Sequence, residues 1–151
     1  MRKLIIVAAV ALLSSCGADR EKVELTNGNG DKVEVSTLGM KDSDYDYDQF
    51  VKMAKKVSSN AQDKCANRST YVPSSVFIRK WERDAKTFPN EYESKNEIVS
   101  IMHSFKASNA YGVAGSNTTN GYFEKVGDNY EDITKKVNEA RYGDLVNELD
   151  L

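Results

Sequence analysis

Glu97-Ile98-Val99-Ser100-Ile101-Met102-His103-Ser104-Phe105-Lys106-Ala107-Ser108-Asn109 is the stretch that decides the fold. Val99, Ile101, His103, Phe105 and Ala107 fall on one side of an extended chain. Ser100, Ser104, Lys106 and Ser108 fall on the other. An apolar side alternating with a polar side is the pattern of a half-buried strand in an antiparallel sheet.

The neighbours of such a strand lie on either side of it in the sequence. Upstream, Val76 to Arg83 is aromatic and β-branched, bounded by Pro73-Ser74-Ser75 and by Phe88-Pro89-Asn90. Downstream, Asn109 to Gly121 holds Tyr111, three glycines and several Asn, Ser and Thr, and reads as a long loop. A third strand is expected over about Thr118 to Val126, with Tyr122 or Phe123 facing inward. Nearer the start, Val23/Leu25 and Val33/Val35 alternate with polar residues around Asn27-Gly28-Asn29-Gly30-Asp31. That cluster supplies the positive-φ positions of a β-hairpin.

Two helices complete the expectation. Phe50, Ala54, Val57, Ala61 and Cys65 recur at helical spacing as one stripe, with Ser43 as N-cap, Asp46 three residues on, and an end at Asn67 or Arg68. Near the C-terminus, Asp128 and Glu131 form a capping-box-like pair. Tyr130, Ile133, Val137 and Ala140 follow at helical spacing, and Gly143 is the stop. The fold class expected is α+β: a single small domain, helices packed on an antiparallel meander sheet.

The first sixteen residues speak of location. Arg2 and Lys3 precede an unbroken apolar run, Leu4 to Leu13, and then Ser14-Ser15-Cys16. At 1.5 Å per residue the run spans about 15 Å, half of a bilayer core, which is signal-peptide length. Leu13-Ser14-Ser15-Cys16 resembles the lipobox of bacterial lipoproteins. The resemblance implies a diacylglycerol on the Cys16 thiol, cleavage before it and acylation of the new amino terminus, as in palmitate-bearing lipoproteins. Two or three acyl chains satisfy the requirement for stable anchoring. Gly17 stands where an inner-membrane retention aspartate would, so the resemblance implies the outer membrane, facing the periplasm. The domain organisation expected is 1–15 signal peptide, 16–22 lipidated tether and 23–151 α+β domain.

A second resemblance covers a third to a half of the chain. Cys65, Pro73-Ser74-Ser75-Val76-Phe77 and Lys106-Ala107-Ser108-Asn109-Ala110-Tyr111-Gly112 are similar to a loose class of small, mostly uncharacterised bacterial secreted proteins and lipoproteins. It implies one helix on a short antiparallel meander and carries no activity.

Composition removes several function classes. Without Arg2 and Lys3 the chain keeps 19 basic residues against 23 acidic ones, so there is no basic excess for nucleic acid. With Cys16 acylated, Cys65 has no disulfide partner, and its place on the helical stripe makes it a small core residue. The only histidine, His103, lies on the apolar face of a strand, where a hydrogen-bonded core residue is the ordinary outcome. Zinc lacks ligands, and an EF-hand counted from Asp42 meets Tyr47 and Met53 where Gly and Glu belong. No catalytic residue, cofactor or metal is assigned.

Tyr111, Asn117 and Tyr122 mark a partner-binding loop, because Tyr with small adaptable polar residues suits macromolecular contact. The reading is a bacterial envelope lipoprotein, a non-catalytic macromolecule-binding module whose partner is an envelope protein or a cell-wall polymer. Two alternatives stay open: a small envelope-acting hydrolase using carboxylates or His103, and a purely structural lipoprotein.

Overall fold

A computed structural model describes residues 22–39, 46–81 and 92–143. Along these the elements are β1 (Lys22–Thr26), β2 (Lys32–Leu38), α1 (Tyr47–Asp63), β3 (Asn67–Trp81), β4 (Ile98–Ser108), β5 (Ala114–Val126), β6 (Asn129–Asp132) and α2 (Thr134–Tyr142). The strands form one sheet in sequence order. The result is a mixed α/β domain whose sheet is mostly antiparallel. The signal run, Cys16, the tether up to Glu21 and Ser43 lie outside the described residues, as do residues 144–151.

The β1–β2 hairpin turns where the Asn/Gly cluster stands. Asn27 Oδ1 accepts from the N–H groups of Asn29 and Asp31, each at 2.9 Å, and Gly30 takes φ +90°. The turn is pinned to the rest of the domain. The Gly28 N–H donates to the Tyr71 carbonyl at 2.8 Å, and a Cβ at Gly28 would sit 2.0 Å from the Arg68 carbonyl oxygen. Only glycine permits that approach.

Helix α1 starts at Asp46, whose side chain accepts from the Asp48 N–H at 2.9 Å. It buries Phe50, Met53, Ala54, Val57 and Ala61 against one face of the sheet. It ends at Asp63, several residues before Asn67, because β3 starts there and runs through Pro73. Proline cannot donate to a ladder, and the strand absorbs it with register breaks between Asn67/Val72 and Pro73/Ser75. The expected strand at Val76 is thus the second half of a longer one.

The antiparallel expectation holds for β1–β2 and for the meander β3–β4–β5–β6. It fails between β2 and β3, which pair in parallel (Ser36↔Ser75, Thr37↔Val76, Leu38↔Phe77). The cause is connectivity: α1 lies between them in sequence, and a strand–helix–strand crossover returns the chain in its original direction. The main core lies between α1 and the sheet, built from Val23, Leu25, Val35, Phe50, Val57, Val76, Ile78, Val99, Ile101 and Phe123 among others.

The C-terminal expectation is corrected in part. Asp128 and Glu131 do not cap a helix. Asp128 sits with Gly127 (φ +62°) in the two-residue turn between β5 and β6, and Glu131 lies within β6, opposite Glu124. Asp132 is the residue that meets the start of α2, accepting from the Thr134 N–H at 2.9 Å and pairing with Lys56 of α1 at 3.1 Å. Gly143 ends α2 at φ +55°. Ile133 and Val137 pack with Ile98 and Tyr122 in a second core on the sheet face turned away from α1.

Candidate functional site: a buried relay and an exposed groove

Polar groups gather in two places, one sealed and one open. The sealed one centres on His103, fully buried beside Tyr71 and Phe105. Its Nδ1 lies 3.1 Å from the Ser75 carbonyl oxygen, its Nε2 2.6 Å from Tyr71 Oη, and Tyr71 Oη 2.7 Å from Ser58 Oγ. The carbonyl can only accept, so Nδ1 carries the proton and Nε2 is left as acceptor. The tyrosine hydroxyl therefore donates to Nε2, and Ser58 donates to the tyrosine oxygen. Burial pushes the imidazole below its ordinary pKa, opposed by the bond to Ser75. Burial likewise raises the Tyr71 phenol. The relay joins α1, β3 and β4; His103 and Tyr71 are fully buried, and Ser58, its outer member, lines a depression of about 340 Å³ with Leu25 and Gln62.

The open place lies along β5. The tip between β4 and β5 is a tight turn: Asn109 Oδ1 accepts from the Tyr111 and Val113 N–H groups at 2.9 and 3.0 Å, with Gly112 at φ +80°. It holds Tyr111 and Val113 outward, 91% and 64% exposed. Behind the tip, a groove of about 490 Å³ opens between the C-terminal end of α1 and the sheet, lined by Lys64, Cys65, Phe105, Ala107, Val113 and Asn117. A second depression of about 270 Å³ continues between α1, β5 and α2, past Asn60 and Asn138. Lys64 and Thr119 line both, so they form one channel beside the strand. Gly121 sets its depth, since a Cβ there would lie 2.3 Å from Val57 Cγ2 and lift α1 off β5.

These placements revise the expected loop. Only Asn109–Val113 is a turn, and Ala114–Gly121 is strand, paired with β4 residue by residue. Tyr111 and Asn117 are exposed; Asn117 lines the groove, and Tyr111 stands on the tip between the lining residues Asn109 and Val113. Tyr122 is separated from them: it is 7% exposed and packs with Ile98, Ile133 and Val137. The structure brings both candidate facing-in residues of β5 inside, Phe123 toward α1 and Tyr122 toward the opposite core. Cys65 lies at the groove as a thiol that donates to the Ala61 carbonyl at 3.2 Å. Burial raises its pKa, so it stays neutral and a poor nucleophile.

Sequence reading missed Ser58, Tyr71 and Lys64. The first two have a faint signal, since a buried histidine demands partners, but nothing in the sequence names them. The acidic side chains at the far end are also spoken for. Burial raises Glu97, but the Lys80 and Tyr130 bonds outweigh it and hold the carboxyl below its usual range. Bonds from Ser94, Asn96 and Tyr92 do the same for Glu124. Both are held as carboxylates, opposite to what a general acid needs. Among the described residues no three His, Cys, Asp or Glu converge as a metal site, and no helix is long and apolar enough to cross a membrane. No family model, curated protein or solved structure matches the chain.

Proposed function

We infer that this chain is a bacterial envelope lipoprotein, anchored through acylated Cys16 in the outer membrane and facing the periplasm, whose domain binds another macromolecule without catalysis. The observation that carries the binding reading is the pair Tyr111 and Val113, held in solvent by a turn that Asn109 fixes, beside an open groove. A protein that leaves an aromatic and a valine exposed on a rigid tip favours contact over solvation there. The partner class on this reading is an envelope protein or a cell-wall polymer.

Three experiments test it. Palmitate labelling should mark the wild type and not Cys16→Ser, and equal labelling would end the anchoring reading. A photo-crosslinker replacing Tyr111, in intact envelopes, should enrich a partner over the same probe on an unrelated tethered domain. Tyr111→Ala should leave the melting temperature unchanged while abolishing function in cells.

A further inference from the structure

The edge of β5 is paired over only part of its length. β6 covers Phe123–Val126. At Tyr122 the N–H donates to Thr134 Oγ1 at 2.9 Å and the carbonyl accepts from the Ile133 N–H at 2.9 Å, so both backbone groups of Tyr122 point away from β4. Backbone direction alternates along a strand. Asn120, Thr118, Ser116 and Ala114 therefore turn their N–H and C=O groups outward as well, and no described strand pairs with them. Their segment, Ala114-Gly115-Ser116-Asn117-Thr118-Thr119-Asn120, has no charge, no proline and no bulge. Those are the devices by which exposed edges are ordinarily blunted.

This edge is also the open side of the channel. A strand laid against Ala114–Asn120 would send every second side chain toward the α1 side, over Phe105, Ala107 and Cys65. The other side chains would face the outer surface of the sheet, where Lys106 stands opposite Ser116. The charged residues lining the channel are Lys64 and Asp63, and Asp63 is engaged by Arg68 at 3.1 Å. That leaves cations, Lys64 and Lys106, on both sides of the vacant strand position.

We propose that β5 accepts an extended acidic peptide segment of a partner protein as an additional antiparallel or parallel strand along Ala114–Asn120, with apolar side chains in the Phe105–Cys65 groove and carboxylates at Lys64 and Lys106. This rests on the binding reading above and narrows its partner to a protein. Main-chain bonds supply affinity and the alternating pockets supply selectivity.

The test uses the full-length lipidated chain in intact envelopes, with p-benzoylphenylalanine replacing Asn117, whose side chain lies over the groove. Adducts are mapped by mass spectrometry, and amide exchange is followed in the purified adduct. Thr118→Pro removes an N–H that faces away from β4, so pairing within the sheet survives and only the bond to the added strand is lost. Lys64→Glu reverses the charge. Melting curves on both variants check the fold. The expected result is an adduct to an acidic extended segment, with slowed exchange at Ser116 and Thr118, and a crosslink yield lowered about five- to tenfold by each substitution. An adduct insensitive to both substitutions overturns strand addition. So does an adduct to glycan, to a second copy of this chain, or to its own residues 144–151. If the probe at Tyr111 captures a partner while Thr118→Pro changes nothing, the binding module stands and the strand does not. If neither position captures anything, both readings fall.

Discussion

The two edges of the sheet are finished in opposite ways. β1 is short, and its solvent face carries a ladder of charge: Lys22 with Glu34 at 3.1 Å and Lys32 with Glu24 at 2.8 Å. These lysines separate Glu24 from Glu34, which stand directly opposite each other across the hairpin. Tyr47 of α1 adds a bond from its hydroxyl to the Lys22 carbonyl at 2.6 Å. The far edge is covered by β6 and by the start of α2 only as far as Tyr122, and below that it runs uncharged along a groove. Charge, short length and a covering side chain discourage a further strand at β1, and among the described residues none of the three is found over Ala114–Asn120. The difference assigns the two edges different jobs: one terminates the sheet, the other leaves it extendable.

The largest effect that bears on this contrast falls inside β5 itself. Phe123 is buried against α1, so Phe123→Ala should cost about 3–5 kcal/mol. Asn117 is exposed at the open end of the same strand, and Asn117→Ala should change stability by less than about 0.5 kcal/mol. Urea unfolding of the two variants measures both. Similar losses would mean that the open half of β5 is structural, and the contrast between edges would lose its basis.

Next is the relay that ties α1 to the two long strands behind the groove. Tyr71→Phe leaves His103 Nε2 without its donor and Ser58 without its acceptor, both buried. The expected destabilisation is about 1–3 kcal/mol, read from the urea midpoint. Ser58→Ala removes only the outer member and should cost less, because Tyr71 can still donate to His103. If the order of the two is reversed, the proton arrangement deduced from the Ser75 carbonyl is wrong.

These residues also show where the sequence was legible. The alternation from Val99 to Ala107 placed β4 and its buried face correctly, because period two on a half-buried strand is a local property. The α1 stripe and the Asn/Gly hairpin were readable for the same reason. The parallel β2–β3 pair was not, since strand direction depends on where a helix packs, and α1 records which face it buries but not where the next strand joins. β3 was half hidden by Pro73, whose missing N–H is absorbed by a bulge that no pattern announces. Asn109–Gly121 looked like loop because Gly, Asn, Ser and Thr serve turns and polar edge strands alike. At the candidate site, Tyr111 and Asn117 were legible as exposed polar and aromatic residues. Tyr122 was misplaced beside them because its burial is not local: Ile133 and Val137 cover the outer sheet face at that point, while Thr118 on the same face stays exposed.

A pH scan follows from the same relay. The neutral His103 in the folded protein titrates below the ordinary imidazole value of 6.5, because burial disfavours its charged form. In the unfolded chain the imidazole takes up a proton near that value. Unfolding thus binds a proton below about pH 6.5, so stability is complete above that pH and declines as pH falls beneath it. A second decline belongs to Glu97, Glu124 and Asp132. All three are held below their ordinary values in the fold, so their contribution fades below about pH 4.5. Thermal melts across this range should show two phases of loss, and His103→Gln should remove the upper one. A flat profile between pH 7 and 5 would place the proton elsewhere.

A substitution with little expected effect on stability gives the sharpest view of the edges. The β1 ion pairs are exposed, so replacing Lys22 and Glu24 together by valine should alter stability by less than about 1 kcal/mol. It would, however, leave β1 uncharged on its solvent face, as β5 already is. A terminated edge then becomes an extendable one, and sedimentation velocity should show concentration-dependent association absent from the wild type. Thr118→Glu runs the experiment the other way. Thr118 is exposed and its side chain lies on the outer sheet face, so the fold should be unaffected, while an acidic strand approaching β5 now meets a carboxylate. If charge is what distinguishes the two edges, the double valine gains association and the glutamate loses partner capture. If the valine variant stays monomeric, then shortness and Tyr47, rather than the charge ladder, close the β1 edge, and the Tyr47→Phe variant of the double mutant would decide between those two.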